Sequence, residues 1–206
     1  MAIPVLLAIT IHEAAHGYAA RYFGDRTAEM LGRITLNPFK HIDAIGTVLI
    51  PLMLYFATNG QFVFGYAKPV PVNTRNLRNP RRDMVWVALA GPVSNLIQAV
   101  GWVLLLVLLM LAGVQEAFFV KMAMAGVMTN LVLAVLNLFP LPPLDGGRIA
   151  VGLLPYKPAS MLARLEPAGF LIVMALMLTG VFGQYWLRPL VDVLLRLLLA
   201  PLELFL

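Results

Sequence analysis

Two histidines and a glutamate interrupt an otherwise apolar stretch near the start of the chain, within ITIHEAAHGYAA at residues 9–20. His12 and His16 are four residues apart, so on a helix they lie about one turn apart on the same face, as two ligands of one metal ion require. Glu13 follows the first histidine, where its carboxylate can reach a metal-bound water. His-Glu-x-x-His on a helix therefore predicts two zinc ligands and a general base.

This pair of histidines is an incomplete zinc site, because a catalytic zinc usually has three protein ligands and one open position. Asp145 is the best candidate for the third ligand, since it follows the uncharged stretch 122–144 and lies in NLFPLPPLDGG. The prolines exclude a regular helix there, and Gly146-Gly147 permit tight backbone turns. The alternative is a loop aspartate at the membrane interface. His41 is interpreted as an interfacial residue, because a fourth ligand would close the open position.

The elements that position these residues are those of a membrane protein. Of the 206 residues, 61% are hydrophobic and 12% are charged. A membrane-spanning helix needs about 20 predominantly apolar residues, and several uncharged stretches approach or exceed that length. These stretches are 44–67, 84–115, 122–144 and 167–187. The chain has no cysteine, which excludes disulfides and thiolate metal sites. The basic clusters flank apolar stretches, so no nucleic-acid partner is predicted.

We predict an all-α multi-pass membrane protein with about five to six apolar helices. The clearest helices cover about 2–23, 84–112, 118–139 and 167–183. Residues 44–72 are expected to enter the membrane and return, or to form a β-hairpin, and strands are expected at 33–36 and 62–70. The C-terminal residues 186–206 form a last span or an amphipathic helix at the interface.

Topology gives a second argument for the site. Asp145 follows the helix near 118–139, so it meets the histidines only if an even number of full crossings separates residue 24 from residue 140. Helices 84–112 and 118–139 supply two crossings. The stretches 24–43, 66–83 and 145–166 then share one side and carry three, five and three Lys/Arg residues, which favours the cytoplasmic side for them and for the site.

Three separated motifs give the chain a resemblance to the site-2 protease family, in its compact prokaryotic branch. They are HEAAH at 12–16, AGPVSN at 90–95 and NLFPLPPLDGG at 137–147. The resemblance covers about residues 9–150. Residues 1–150 are predicted to form the intramembrane metalloprotease core, and residues 151–206 are C-terminal membrane helices of unassigned role in the same domain. The resemblance implies a Zn²⁺ cofactor held by His12, His16 and Asp145, with Glu13 as catalytic base.

The same resemblance maps its Gly-x-x-x-Asn and Asn-x-x-Pro motifs onto Gly91/Asn95 and Asn137/Pro140. It implies that Asn95 and Asn137 bind substrate, whereas helix–helix hydrogen bonding is the structural alternative. Gly91-Pro92 is consistent with close packing or a kink. No PDZ or other regulatory domain is expected between these motifs.

The predicted function is hydrolysis of peptide bonds within or near transmembrane segments, in the cytoplasmic membrane of a prokaryote. The partners would be the lipid bilayer and membrane-protein substrates whose helix can unwind, because a helix shields its peptide bonds. A β-addition mode at the predicted edge strands would hold such a substrate. The alternative is a membrane metal transporter or metal sensor that uses the same ligands. A catalytically dead scaffold is disfavoured because no ligand or base is missing. The sequence leaves the substrate, the regulator and the oligomeric state open.

Overall fold

The computed structural model describes residues 2–60, 65–114 and 116–200, and the regular structure in these ranges is entirely helical. Short 3₁₀ turns at Pro38–His41 and Thr74–Asn76 and π-helical stretches at Ala44–Leu49 and Gly183–Leu187 accompany the α-helices. The α-helices are α1 (Ala2–Tyr22), α2 (Thr27–Met30), α3 (Ile50–Ala57), α4 (Pro80–Leu111), α5 (Ala117–Asn137), α6 (Asp145–Leu153), α7 (Tyr156–Ala163), α8 (Glu166–Leu178) and α9 (Arg188–Leu199).

Two of the described helices, α4 and α5, are long and apolar enough to cross a membrane. The pair α7 and α8 would make a third crossing if it acts as one span, although it bends by 68° between its halves. Helix α1 has 21 residues, but His12, Glu13 and His16 make it more polar than α4 and α5. The predicted all-helical chain with membrane-capable helices is confirmed.

Helix α4 is the centre of the molecule, because it packs against α1, α5, α6 and α9. A short connection with Gly113 at φ +66° joins α4 to α5, so the two long helices pack as an antiparallel pair. The main core forms where α9 joins this pair. Its buried members are Ala99, Val103, Val127, Leu131, Val135 and Val191.

Most helix bounds agree with the predictions, and the differences have physical causes. Helices α1 and α5 lie within two residues of the predicted bounds. Helix α4 begins at Pro80, four residues before the predicted start, because proline suits the first helical turn and the Asp83 carboxylate accepts the Asn79 N–H at 2.7 Å. Helix α8 ends at Leu178, before Gly180 at φ +76°. Helices α6 and α7 were not predicted.

The predicted strand at 33–36 is wrong, since these residues bend. The structure contains no strand in the ranges it describes, and residues 61–64 of the predicted hairpin lie outside them. Pro69 and Pro71 have no N–H, so residues 65–73 could not offer a complete hydrogen-bonding edge to a neighbouring strand. Residues 44–57, where the first half of the hairpin was expected, are helical.

Residues 65–73, which we call the covering segment, are instead fastened to the preceding loop by isolated backbone hydrogen bonds. The N–H of Tyr66 donates to the carbonyl of Gly46 at 3.0 Å, and the N–H of Lys68 donates to the carbonyl of His41 at 2.9 Å. The Arg33 guanidinium donates to the carbonyl of Lys68 at 2.9 Å. These bonds place the covering segment over α1, next to the predicted site.

Candidate metal centre

Helix α1 presents His12 and His16 on one face, as their spacing predicted. Their Nε2 atoms lie 3.1 Å apart. Each ring turns its other nitrogen toward α4: the Nδ1 of His12 lies 2.6 Å from the Asn95 Oδ1, and the Nδ1 of His16 lies 2.7 Å from the Val87 carbonyl oxygen. Since a carbonyl oxygen only accepts, each Nδ1 donates, which leaves the Nε2 lone pairs to converge on one point.

Asp145 completes this cluster from the start of α6. Its Oδ2 lies 3.2 Å from the His12 Nε2 and 3.3 Å from the His16 Nε2. Asp145 is 7% exposed, and its buried Oδ2 has no hydrogen-bond partner among the residues that the structure describes. The structure therefore brings together the three residues that were predicted as metal ligands, although they lie far apart in the sequence.

Gly146 and Gly147 matter here for a different reason from the predicted one. They lie inside α6, not in a tight turn. A side chain at Gly146 would collide with the Leu138 carbonyl, and one at Gly147 would collide with the backbone at Leu141 and Pro142. The absence of side chains thus lets α6 pack against the irregular 138–144 backbone, which sets the position of Asp145.

The separations of these three atoms fit a tetrahedral metal ion. Ligands about 2.0–2.1 Å from such an ion lie about 3.3–3.4 Å from one another, and the observed separations are 3.1–3.3 Å. Two imidazole nitrogens and one carboxylate oxygen form a ligand set typical of catalytic zinc, with one position left open. The unpartnered Oδ2 of Asp145 also fits, because a buried carboxylate oxygen normally has a partner.

The absence of a side chain at Gly91 leaves room for the two ligand rings. A Cβ at this position would lie 2.5 Å from the His16 Nε2 and 2.6 Å from the His12 Cε1. Helix α4 continues through Pro92. The close packing predicted for Gly91-Pro92 is observed at Gly91, and the kink stays a prediction. Any larger residue at Gly91 would push the histidine rings away from Asp145.

Glu13 lies beside the ligands and contacts the covering segment. Its Oε2 accepts the N–H of Val70 at 2.7 Å. A cavity of about 750 Å³ opens at this point, and Glu13, the three ligands and residues of the covering segment line it. Apolar side chains of α1 and α5 form much of the remaining wall, among them Leu6, Ile9, Leu133 and Leu136. The cavity is large enough for a stretch of extended peptide.

The two asparagines that were predicted to contact substrate occupy different places. Asn137 lines the cavity, and its Nδ2 donates to the Leu133 carbonyl at 3.0 Å. Asn95 is fully buried behind His12. Its substrate contact and that of Asn137 stay predictions, whereas the contact of Asn95 with a metal ligand is observed.

His41 lies on the cavity wall but outside the ligand cluster. Its ring is 2% exposed, and its Nε2 donates to the Thr35 carbonyl at 3.1 Å. The 3₁₀ turn at Pro38–His41 directs the ring inward, and the position of His41 at the membrane interface stays a prediction.

Asp25 is an important residue that the sequence analysis did not single out. It is fully buried just after α1, and its carboxylate accepts the N–H of Thr27 at 3.0 Å, the N–H of Asn73 at 2.7 Å and the Nδ2 of Asn76 at 3.0 Å. It thus ties the end of the covering segment to the end of α1. The available signal was weak: a Gly-Asp pair at a helix end is typical of many turns.

The surroundings of Asp25 also change its acidity. Burial by itself raises the pKa of the carboxyl, but the hydrogen bonds from Thr27, Asn76 and Asn73 stabilise the charged form and together lower the pKa below its ordinary value. Asp25 is therefore a carboxylate at neutral pH, and its charge holds the covering segment in place.

Comparisons with known proteins find similarity over most of the chain. The family model for Peptidase family M50 matches residues 1–125 and 114–180. "Putative zinc metalloprotease YwhC" of Bacillus subtilis (strain 168) is 41% identical over 197 residues, which cover 93% of this chain and 85% of that protein. "Putative zinc metalloprotease Rip2" of Mycolicibacterium smegmatis is 32% identical over 190 residues, which cover 88% of this chain and 67% of that protein.

A third relative, "Putative zinc metalloprotease Rip2" of Mycobacterium tuberculosis, is 34% identical over 147 residues, which cover 68% of this chain and 52% of that protein. No solved structure matches the chain. The resemblance to site-2 proteases is thereby confirmed, and the apolar helices agree with a membrane protein. With a family model that covers most of its length and a relative at 41% identity, the chain belongs to peptidase family M50.

Proposed function

We propose that this protein is an intramembrane zinc metalloendopeptidase that hydrolyses peptide bonds within or near transmembrane segments of membrane-protein substrates. One observation carries the proposal: Nε2 of His12, Nε2 of His16 and Oδ2 of Asp145 lie 3.1–3.3 Å from one another beside Glu13. Membership of a peptidase family favours peptide-bond hydrolysis over the alternative of metal transport. The relatives are named as putative zinc metalloproteases, which favours zinc as the metal.

The two histidines and Asp145 would hold the zinc ion. When bound, zinc would lower the pKa of its bound water to about 7 and polarise the carbonyl of the scissile bond. The hydrogen bonds of the two Nδ1 atoms to α4 fix the orientation of both rings before any metal binds. The chain itself therefore supplies a preorganised set of three ligands.

Glu13 would act as the general base and then as the general acid. Its carboxylate accepts a proton from the attacking water and later donates that proton to the leaving amine. The Val70 N–H binds one carboxylate oxygen and fixes the orientation of the side chain. Because this N–H belongs to the covering segment, the position of the base depends on how that segment is held.

Substrates would bind as extended chains in the cavity between the covering segment and α5. Residues of the covering segment and Asn137 both line this cavity. Backbone groups of the segment would pair with the unwound substrate by β-addition, and the Asn137 carboxamide would hold its backbone. The partner is thus a membrane protein with a helix that unwinds easily.

For the membrane arrangement we propose a multi-pass protein of the cytoplasmic membrane with five to six apolar helices and the active site toward the cytoplasm. The contact between His16 near the end of α1 and Asp145 just after α5 supports an even number of crossings between them. Residues 44–72 would then enter the membrane and return. The chain has no cysteine, so single cysteines are clean probes.

Arg75→Cys and Gly113→Cys test this arrangement in intact cells. Cytoplasmic labelling at position 75 and external labelling at position 113 are expected. External labelling at position 75 would overturn the proposed topology and leave the chemistry of the site untouched.

The activity is tested with purified protein in liposomes and two single-span substrates that differ only in their core. One has an all-leucine core, and the other has a Gly-Pro pair that weakens its helix. A chelator should abolish cleavage and added zinc should restore it. The Gly-Pro substrate should be cut at least about tenfold faster. Cleavage that survives removal of metal would contradict the zinc proposal, and equal rates would contradict the need for unwinding.

A further inference from the structure

Asn130 lies in the middle of α5, fully buried in a helix that is otherwise suited to lipid. Its Nδ2 donates to the Gly126 carbonyl one turn earlier, at 2.9 Å. Its Oδ1 accepts from the Asn95 Nδ2, also at 2.9 Å. Asn130 therefore lies two hydrogen bonds away from the ligand His12, and nothing in the motif arguments gives it a role.

Backbone carbonyls, which only accept, fix the direction of each hydrogen bond in this series from Gly126 to His12. The Gly126 carbonyl requires the amino end of the Asn130 carboxamide, so the oxygen end must face Asn95. The Asn95 Nδ2 then donates to two acceptors, the Asn130 Oδ1 at 2.9 Å and the Ala8 carbonyl at 3.2 Å. The oxygen of Asn95 is left facing His12.

This orientation decides which nitrogen of His12 is available to a metal. The Nδ1 of His12 donates to the Asn95 Oδ1 at 2.6 Å, so the Nε2 of the neutral ring carries a lone pair. If the Asn95 carboxamide were reversed, its amino group would face Nδ1. The ring would then favour a proton on Nε2, and that proton would point at His16 and Asp145.

His16 shows why only one of the two ligands requires such support. Its Nδ1 donates to the Val87 carbonyl, a backbone group that cannot reverse its direction. The acceptor for His12 is a side-chain carboxamide, whose oxygen and nitrogen ends can exchange by rotation. The Asn130 Oδ1 and the Ala8 carbonyl together remove this freedom, and the hydrogen bond to Asn130 is the shorter of the two, 2.9 Å against 3.2 Å.

We infer that Asn130 is a positioning residue for the metal centre: by accepting from the Asn95 amino group it holds the Asn95 oxygen toward His12 and so presents the His12 Nε2 to the metal. This inference rests on the zinc site proposed above. It concerns a residue that touches neither metal nor substrate, and it predicts a loss of zinc affinity without any change in the ligands themselves.

The first readout is zinc affinity, measured by competition with a chelator on purified protein in detergent. Asn130→Leu keeps the volume of the side chain and removes the acceptor, and Asn130→Ala removes it without added bulk. Both should bind zinc about tenfold more weakly than the wild type, as is typical when a supporting partner of a ligand is lost.

The matched control is Gln98→Leu. Gln98 is also a carboxamide on α4, about one turn beyond Asn95, and its buried Nε2 has no partner in the described structure. Because Gln98 lies outside the hydrogen-bonded chain to His12, this variant should bind zinc as the wild type does.

The second readout separates orientation from packing. In zinc-loaded protein with ¹⁵N-labelled histidine, the Nδ1–H proton of His12 should resonate far downfield because of its short bond to Asn95, and it should move upfield in Asn130→Leu and Asn130→Ala. The His16 Nδ1–H proton, bonded to Val87, should stay in place. Only three histidines contribute signals, so single substitutions assign them.

The outcomes distinguish this inference from the proposed function. A wild type that binds no zinc would overturn the proposed function and the inference with it. If the wild type binds zinc, unchanged affinity and an unchanged His12 proton in both Asn130→Leu and Asn130→Ala would overturn the inference alone. A loss of zinc affinity in Asn130→Leu and Asn130→Ala with the His12 proton still in place would also overturn it, because it would show that packing, not the orientation of Asn95, matters.

Discussion

Helix α1 is held on two sides by regions of different construction. On one side, α4 contacts His12 and His16 through Asn95 and the Val87 carbonyl, and α5 supports Asn95 through Asn130. On the other side, the covering segment contacts Glu13 through the Val70 N–H and is itself fastened by scattered hydrogen bonds and by Asp25. The metal ligands thus rest on regular helices, whereas the base rests on irregular backbone.

This difference corresponds to what each side must do. A metal centre works best when its ligands are fixed in advance, and packed helices provide that rigidity. The side that meets the substrate must accept an extended chain, and backbone that is not already paired in a sheet has groups to offer it. The comparison predicts that zinc binding and cleavage can be damaged separately, depending on which side is changed.

The largest effect is expected from Asp145, the ligand that α6 brings to the two histidines of α1. Asp145→Ala should lower zinc affinity by more than about 100-fold and abolish cleavage, because only two protein ligands remain. Zinc content of the purified protein measures this directly. Asp192→Ala is the control, since Asp192 is exposed on α9 and only approaches Arg188 at 4.0 Å. If Asp145→Ala and Asp192→Ala contained equal amounts of zinc, Asp145 would not be a zinc ligand.

A change on the helical side should lower the affinity for zinc and leave the position of Glu13 unchanged. Asn95→Leu removes the acceptor for the His12 Nδ1, and a loss of about 10- to 100-fold in zinc affinity is expected. At saturating zinc, cleavage should recover much of its wild-type rate. A variant that binds zinc normally and still fails to cut would instead indicate the predicted substrate contact of Asn95.

A change in the covering segment should slow cleavage and leave the zinc affinity unchanged. Val70→Pro removes the N–H that binds Glu13, so cleavage should fall about tenfold while zinc affinity stays at the wild-type level. Val70→Ala keeps the N–H and serves as control. If Val70→Pro lost zinc as well, the two sides of α1 would be coupled and the comparison would fail.

The smallest effect concerns the anchor of the covering segment. Asp25→Asn should lower the free energy of unfolding by about 1–3 kcal/mol, because a buried N–H would lose its acceptor. The folded-state pKa of Asp25 is lowered, so its stabilising contribution is fully present above about pH 3.9, the ordinary value, and is lost as the pH falls through the lower folded-state pKa. Unfolding in detergent at neutral and acidic pH measures both. An Asp25→Asn variant as stable as the wild type at neutral pH would contradict this role.

The helical side could be predicted from the sequence to a large extent. A histidine pair at helical spacing, long uncharged stretches and an aspartate after a proline-rich break each carry a strong local signal. The partners of the ligands were less accessible. Val87 contributes only its carbonyl, which every residue has, and Asn130 appeared as one more polar residue in a membrane helix.

The segment side was predicted poorly, because its structure depends on contacts between distant residues. The alternation at 33–36 indicated a strand, but no backbone within the described ranges pairs with these residues as a strand. Asp25 reaches Asn73 across 48 positions of the sequence, and no pattern in either neighbourhood signals that contact. Irregular backbone has no periodicity, so its position is fixed by such individual hydrogen bonds.

The central claim is that Glu13 serves chemistry and not metal binding, and Glu13→Gln tests it most directly. The measurement is the zinc content and the cleavage rate of the same purified sample, with the wild type alongside. We expect about one zinc per chain in both proteins and a cleavage rate lower by about 10²- to 10⁴-fold in Glu13→Gln. Loss of zinc together with activity, or cleavage at the wild-type rate, would contradict the account.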